Sequence, residues 1–188
     1  MYFSDALMAI IMTILVLDIK VPVVEYSGDA ALWPQVAKVL PHFFGFAISF
    51  AFICALWVSH HNLLEAIQQP NTTLAVLNFF FIGSIAVIPF STALAAEYTQ
   101  SPLAAAMLAG NLFLMNGFLV SLHIYAGAAK LRDDSYYSAH FLKIKKMLGL
   151  TGSVVFLFAI FIAFYSPTTS HIAIAIVPVL HLIPIKGT

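Results

Sequence analysis

The run VLPHFFGFAISFAFICALWVSHHNLL, residues 39–64, holds no charged side chain between Lys38 and Glu65. It exceeds the roughly 20 apolar residues that one helical crossing of a bilayer needs. The rest of the chain is of the same kind: 188 residues, 62 % hydrophobic and only 9 % charged, with a mean hydropathy of +0.98. A soluble domain carries about 25 % charged residues, so a water-facing surface is excluded. Net charge is zero and no basic or acidic block occurs, so nothing suggests a nucleic-acid partner. The single cysteine, Cys54, makes no intrachain disulfide, and no Cys/His cluster has the spacing of a metal site.

Outward from this run, charges and turn residues mark six helical segments, near 3–19, 33–60, 73–96, 101–129, 146–165 and 170–184. Ser101-Pro102 is a favourable helix start, and Ser166-Pro167-Thr168-Thr169 is expected to be a tight turn. Membrane β-strands would alternate in hydrophobicity over about ten residues, whereas these runs are continuous. The first segment is not a signal peptide, since it lacks a basic start and a small-residue cleavage site. The expected architecture is one all-α membrane domain over residues 1–188 with six transmembrane helices.

Lys130, Arg132, Lys143, Lys145 and Lys146 fall between the fourth and fifth segments and Lys186 follows the sixth. Only Lys20 and Lys38 fall on the other side. The positive-inside rule then puts both termini in the cytoplasm. Ser4, Asp5, Trp57, His60, His61 and Asn78 thereby share one layer.

The first helix carries Asp5 at one end and Asp18 at the other, and an intramembrane carboxylate is a functional-site hypothesis by default. With Ile10 at zero and about 100° per residue, Phe3, Ala6, Thr13, Ile14 and Leu17 join it in one stripe about 100° wide. Asp5 and Ser4 lie well off it. Read from these residues alone, the stripe is a packing face and Asp5 caps the helix or meets a neighbouring one.

The opening run Phe3-Ser4-Asp5 to Pro22 resembles the first helix of the transmembrane-protein-175 family, lysosomal potassium channels and their bacterial relatives. Ser49-Phe50, Trp57 and His60-His61 resemble its second helix, and Asn78 with Pro89-Phe90-Ser91-Thr92 its third. The last three helices match only in number and length. Family members usually carry an arginine a few residues upstream of Phe3-Ser4-Asp5, at positions this sequence does not reach.

The resemblance implies a bacterial, single-repeat channel of the plasma membrane, assembled as a homotetramer whose first helices line a central pore. On that reading Ile10, Thr13, Ile14 and Leu17 face the pore, with Ile10 the narrowest ring and Leu17 a second. Apolar rings on an axis gate by dewetting. No Thr-Val-Gly-Tyr-Gly filter occurs, so the expected activity is a leak-like, potassium-preferring cation conductance without a carbonyl cage. No cofactor is expected beyond permeant potassium or another monovalent cation. Thr13 offers the only hydroxyl in the stripe, unless it bonds back to the Ala9 carbonyl.

Ser4, Asp5, Trp57, His60, His61 and Asn78 would form a polar network that positions helix one, or would sense protons, because histidine titrates near neutrality. His60 and His61 are adjacent and point about 100° apart, which suits two separate partners rather than one metal. Asp18 would give a ring of carboxylates at the mouth, or is a solvated helix-end residue near Lys20. His123, His171 and His181 are read as packing or interfacial residues. No hydrolase or phosphate-binding motif occurs, so an enzyme is not expected. The alternatives are a proton-conducting channel or an ion-coupled secondary transporter. Pro89 and Pro178, three helices apart, could be the matched breaks of an inverted repeat.

Overall fold

The computed structural model describes residues 2–23, 28–133 and 139–182, and these are nearly all helical. Helix α1 covers Tyr2–Ile14 and continues as a 3₁₀ turn, Leu15–Asp18. The others are α2 (Asp29–Ala66), α3 (Thr72–Ala86), α4 (Ile88–Glu97), α5 (Pro102–Ala128), α6 (Ala139–Ala163) and α7 (Pro167–Leu182). Four segments are long and apolar enough to cross a bilayer: Asp29–Ala66, Thr72–Glu97, Pro102–Ala128 and Leu142–Ala163. The chain is a multi-pass membrane protein. The α1 helix with its 3₁₀ extension reaches about 28 Å, and α7 about 24 Å, on the usual rises per residue.

Several boundaries differ from those read off the sequence. Helix α2 starts at Asp29 instead of Trp33 and runs on through Pro34 and Pro41; Asp29 stands in its first turn, where a carboxylate suits the unpaired amides of a helix start. Helix α6 begins at Ala139, so Lys143, Lys145 and Lys146 stand on its first turns and not in a loop. The expected turn at Ser166–Thr169 is shorter. Pro167 already opens α7, and Ser166 Oγ accepts from the Thr169 amide at 3.3 Å. The His181 side chain and Lys186 lie outside the described residues.

Helix α5 is the hub, packing against α2, α3, α4, α6 and α7. Its contact with α6 is close because Gly149 has no side chain. A Cβ there would stand 2.6 Å from Val120 Cγ2, and Asn116 Nδ2 donates to the Gly149 carbonyl at 2.7 Å. Helix α1, by contrast, leans chiefly on α2 and α3, and its 3₁₀ turn on α2 and α4. One face, Ser4, Met8, Ile11 and Leu15, is buried, at the i, i+4, i+7, i+11 spacing of a single helical stripe.

The third segment is two helices, not one. Pro89 lacks an amide hydrogen and crowds the carbonyl four residues earlier, and the helix parts at Val87. In an unbroken helix the Ile88 amide would donate to the Ser84 carbonyl. The Asn111 carboxamide of α5 stands between them instead. Its nitrogen donates to the Ser84 carbonyl at 2.9 Å, and its oxygen accepts from the Ile88 amide at 3.2 Å and from Ser91 Oγ at 3.0 Å. Pro178, by contrast, lies inside a continuous α7, so the matched pair of breaks that an inverted repeat would use is not formed.

Replacing Asn111 with leucine strands both backbone groups in an apolar interior. The expected cost is about 1–3 kcal/mol, read as a lower thermal midpoint in detergent. Adding Pro89→Ala should recover part of it, since the helix can then close its own ladder. A midpoint unchanged by Asn111→Leu would show that the carboxamide does not hold the break.

Candidate pore helix and its polar anchor

The anchor forms where the first turn of α1 meets the last third of α2 and the start of α3. Trp57, His61 and Glu65 stand four residues apart along α2, so they share one face. Trp57 Nε1 donates to Asp5 Oδ1 at 2.9 Å. His61 lies under the indole, ring centroids 5.1 Å apart, with Nδ1 3.6 Å from Asp5 Oδ1 and Nε2 3.3 Å from Glu65 Oε1. A protonated imidazole has donors on both nitrogens, so His61 stands between two carboxylates that it can bridge. Glu65 was not singled out from the sequence, although its i+4 spacing from His61 was the available signal.

His60 takes a different set of partners. It is fully buried and stacks on Phe81 with centroids 4.8 Å apart. Asn78 Nδ2 donates to Ser4 Oγ at 3.1 Å, which leaves the Asn78 oxygen to accept from His60 Nε2 at 2.7 Å. The bonded His60 nitrogen is therefore the protonated one. Ser4, 2 % exposed, is thus tied to α3 and through it to α2. All six residues come together, in two branches: Asp5 with Trp57 and His61, and Ser4 with Asn78 and His60.

A second tie joins the middle of α2 to α4. Ser49 Oγ and Thr92 Oγ1 are 2.8 Å apart and buried.

The opposite face of α1 is bare. Phe3 is 62 % exposed, Ile10 57 %, Ile14 41 % and Leu17 73 %, and Ala6 and Thr13 are exposed with them. The result is a continuous apolar strip along a helix whose other side is fully engaged. Thr13 Oγ1 donates to the Ile10 carbonyl at 2.7 Å, one residue away from the Ala9 carbonyl considered from the sequence. Its hydroxyl proton is spent on the backbone, so what Thr13 presents outward is an oxygen that accepts.

Asp18 does not stand alone at the end of the strip. It is half-buried and shares a cavity of about 500 Å³ with Lys20, Lys38, His42 and Glu97, between the 3₁₀ turn, α2 and α4. His42 Nε2 lies 3.4 Å from Glu97 Oε2 in the same cavity. Among the described residues no group of three or more His, Cys, Asp or Glu side chains could hold a metal ion.

The profile of the family described as endosomal/lysosomal potassium channel TMEM175 matches residues 1–89, a little under half of the chain, and this stretch contains the anchor. A potassium channel of Streptomyces collinus is 35 % identical over 98 residues, covering 52 % of this chain and 47 % of that one. An endosomal/lysosomal proton channel of Bos taurus is 29 % identical over 106 residues, 53 % of this chain and 22 % of that one. The chain spans about half the length of the curated bacterial relatives it matches. The crystal structure of a lysosomal potassium-selective channel TMEM175 homolog from Chamaesiphon minutus superposes with a TM-score of 0.83 at 26 % identity, over 96 % of this chain and 93 % of that one. Ser4, Asp5, Ser49, Trp57, His60, Asn78 and Thr92, which carry the resemblance read from the sequence, bond to one another across α1, α2, α3 and α4. The chain is thus similar to the TMEM175 family over its first 89 residues, and to a bacterial homolog of that family in fold over nearly its whole length.

Proposed function

We propose that this chain is a leak-like, potassium-preferring cation channel. Six helical segments cross the membrane with both termini in the cytoplasm, and four copies place α1 around a central axis. The observation that carries this reading is the exposed apolar strip of α1 opposite a face fixed by hydrogen bonds. A face that cannot turn inward, on a helix at the edge of its own bundle, is suited to meet the same face of other copies. Ile10 then forms the narrowest ring and Leu17 a second, and conduction is limited by how readily water enters between apolar side chains. Ile14 and Thr13 line the stretch between the two rings. The Thr13 oxygen, accepting and outward, favours a partly dehydrated cation over an anion. Asp18 has no part in the pore in this reading, because Lys20 and Lys38 share its cavity. Enzyme activity is not part of the reading.

A second reading, proton conduction or proton gating, is favoured by the position of His61 between Asp5 and Glu65. It differs in its observable. Reversal potential would follow the pH gradient, and His61→Gln would abolish that response while leaving potassium current in place.

Bi-ionic current across planar bilayers, potassium against sodium, tests the main reading. A voltage-independent current reversing on the side that favours potassium is expected. Ile10→Asn should wet the constriction and raise basal conductance several-fold, and an unchanged current would remove Ile10 from the pore. Thr13→Val should lower the potassium-to-sodium permeability ratio with current retained; an unaltered ratio would mean that the hydroxyl serves only the Ile10 carbonyl.

Asp5→Ala leaves the Trp57 indole without its acceptor, a loss of about 1.5–3 kcal/mol for a bond to a charged group. A lower thermal midpoint and fewer assembled tetramers are expected, with selectivity in the surviving channels unchanged. Intact tetramers with altered selectivity would instead put Asp5 in the permeation path.

A further inference from the structure

At the end of the bundle where α1 begins, α2, α5 and α6 enclose a cavity of about 490 Å³ whose lining includes Arg132, Lys143, Lys145 and Lys146. These are four of the eight basic residues in the chain. No acidic side chain lines it among the described residues. Three lysines within one helical turn, with Arg132 opposite them, concentrate positive charge in one recess, the kind of surface that attracts anionic headgroups.

The basic rim is built, not incidental. Helix α5 closes with Lys130 in the left-handed region at φ 53°, the Leu131 amide donating to the Ala126 carbonyl and the Lys130 amide to that of Gly127. This reversal is the Schellman arrangement. It delivers Arg132 into an antiparallel bridge with Ile67, at the end of α2. Gln68 N donates to the Leu131 carbonyl and Asp133 N to the Ala66 carbonyl, both at 2.9 Å. Leu131 is thereby buried, and Arg132 lies along α5 with its Nη2 3.5 Å from where a side chain at Gly127 would begin. Asp133 is held by Gln68 Nε2 at 2.9 Å.

The cavity has two kinds of wall. Beside the basic rim stand Leu63, Val120, Ile124 and Leu142. Deeper, Ser59 Oγ and His123 Nε2 are 3.1 Å apart. Guanidinium and ammonium groups recognise phosphate, and apolar walls next to them suit the first carbons of an acyl chain. Basic recesses between helices at a membrane face take anionic headgroups by these contacts.

We propose that this cavity binds a phosphate-bearing anion, and that the occupant is the headgroup of an anionic membrane phospholipid. The headgroup spans α6 and the α2–α5 bridge and pins the start of α6 to the bundle. The site is independent of what the pore conducts. It lies on α2 directly beside the anchor, since Ser59 immediately precedes His60 and His61, so occupancy would stiffen the segment to which α1 is tied.

The full chain, purified in non-ionic detergent, would be titrated with dioleoyl phosphatidylglycerol, dioleoyl phosphatidylcholine and glycerol 3-phosphate while its thermal midpoint is followed. Phosphatidylglycerol should raise the midpoint by roughly 5 °C at saturation and phosphatidylcholine should not. The shift should vanish in Lys145→Gln/Lys146→Gln and persist in Lys20→Gln/Lys38→Gln, which changes charge equally at the opposite end. An equal shift with glycerol 3-phosphate, lost in the same variant, would support the phosphate site and assign a soluble occupant. No shift with either phosphate compound, or a shift that survives Lys145→Gln/Lys146→Gln, would overturn the proposal. Native mass spectrometry of the unheated protein gives a second reading, with one retained phosphatidylglycerol per chain expected only where the cavity lysines are intact.

Discussion

The bond from the Trp57 indole to the Asp5 carboxylate sets the rotation of α1, and most of what α1 can do depends on that rotation. A carboxylate within a membrane domain is held by hydrogen bonds and opposite charge or it is expelled toward water. Here the acceptor at Asp5 has the indole at 2.9 Å and His61 at 3.6 Å. Ser4, next along the chain, is bonded to Asn78. Two adjacent residues tied to two different helices leave α1 no freedom to roll. Met8, Ile11 and Leu15 follow them into the core, and the strip through Ile10, Thr13, Ile14 and Leu17 is turned outward as a consequence.

The rest of the bundle works as the mount for that anchor. Helix α5 supplies the rigid centre, and Asn111 on it fills the gap that Pro89 opens between α3 and α4. This matters for α1 because both halves of the broken segment carry its contacts: Asn78 before the break, and α4 against the 3₁₀ turn after it. A straight segment would direct the two halves along one axis. The bend lets α3 meet the first turn of α1 while α4 supports its last, and the Ser49–Thr92 pair fastens α4 to α2 on the far side.

Much of this was legible in the sequence, for reasons that can be named. Charge-free runs locate the helices because a bilayer tolerates almost nothing else, and the positions of the anchor residues follow once the ends of α1, α2 and α3 are placed in one layer. Helix ends were harder to read. Asp29 opens α2 four residues before Trp33, because a carboxylate that suits a helix start reads as loop in a sequence, and Lys143, Lys145 and Lys146 look like a loop because lysine is read as aqueous, although its long stem lets it stay on a helix at the membrane edge. Glu65 was harder to read, because a carboxylate just past a charge-free run looks like a solvated helix end, and only its four-residue spacing from His61 marks it. Asn111 was invisible for a different reason: its partners are backbone groups of another helix, and a side chain that completes a broken ladder leaves no pattern in its own sequence. The Thr13 acceptor turned on a single rotamer, which residue spacing does not determine.

On the proposed reading, the face of α1 opposite the Asp5–Trp57 anchor is the one that meets the ions. The most direct test is a cysteine scan of α1 in a Cys54→Ser background, with current recorded before and after a water-soluble thiol reagent. Block is expected at Ile10→Cys, Thr13→Cys, Ile14→Cys and Leu17→Cys, and none at Met8→Cys, Ile11→Cys or Leu15→Cys. Block at the second set, or block without helical periodicity, would contradict that reading.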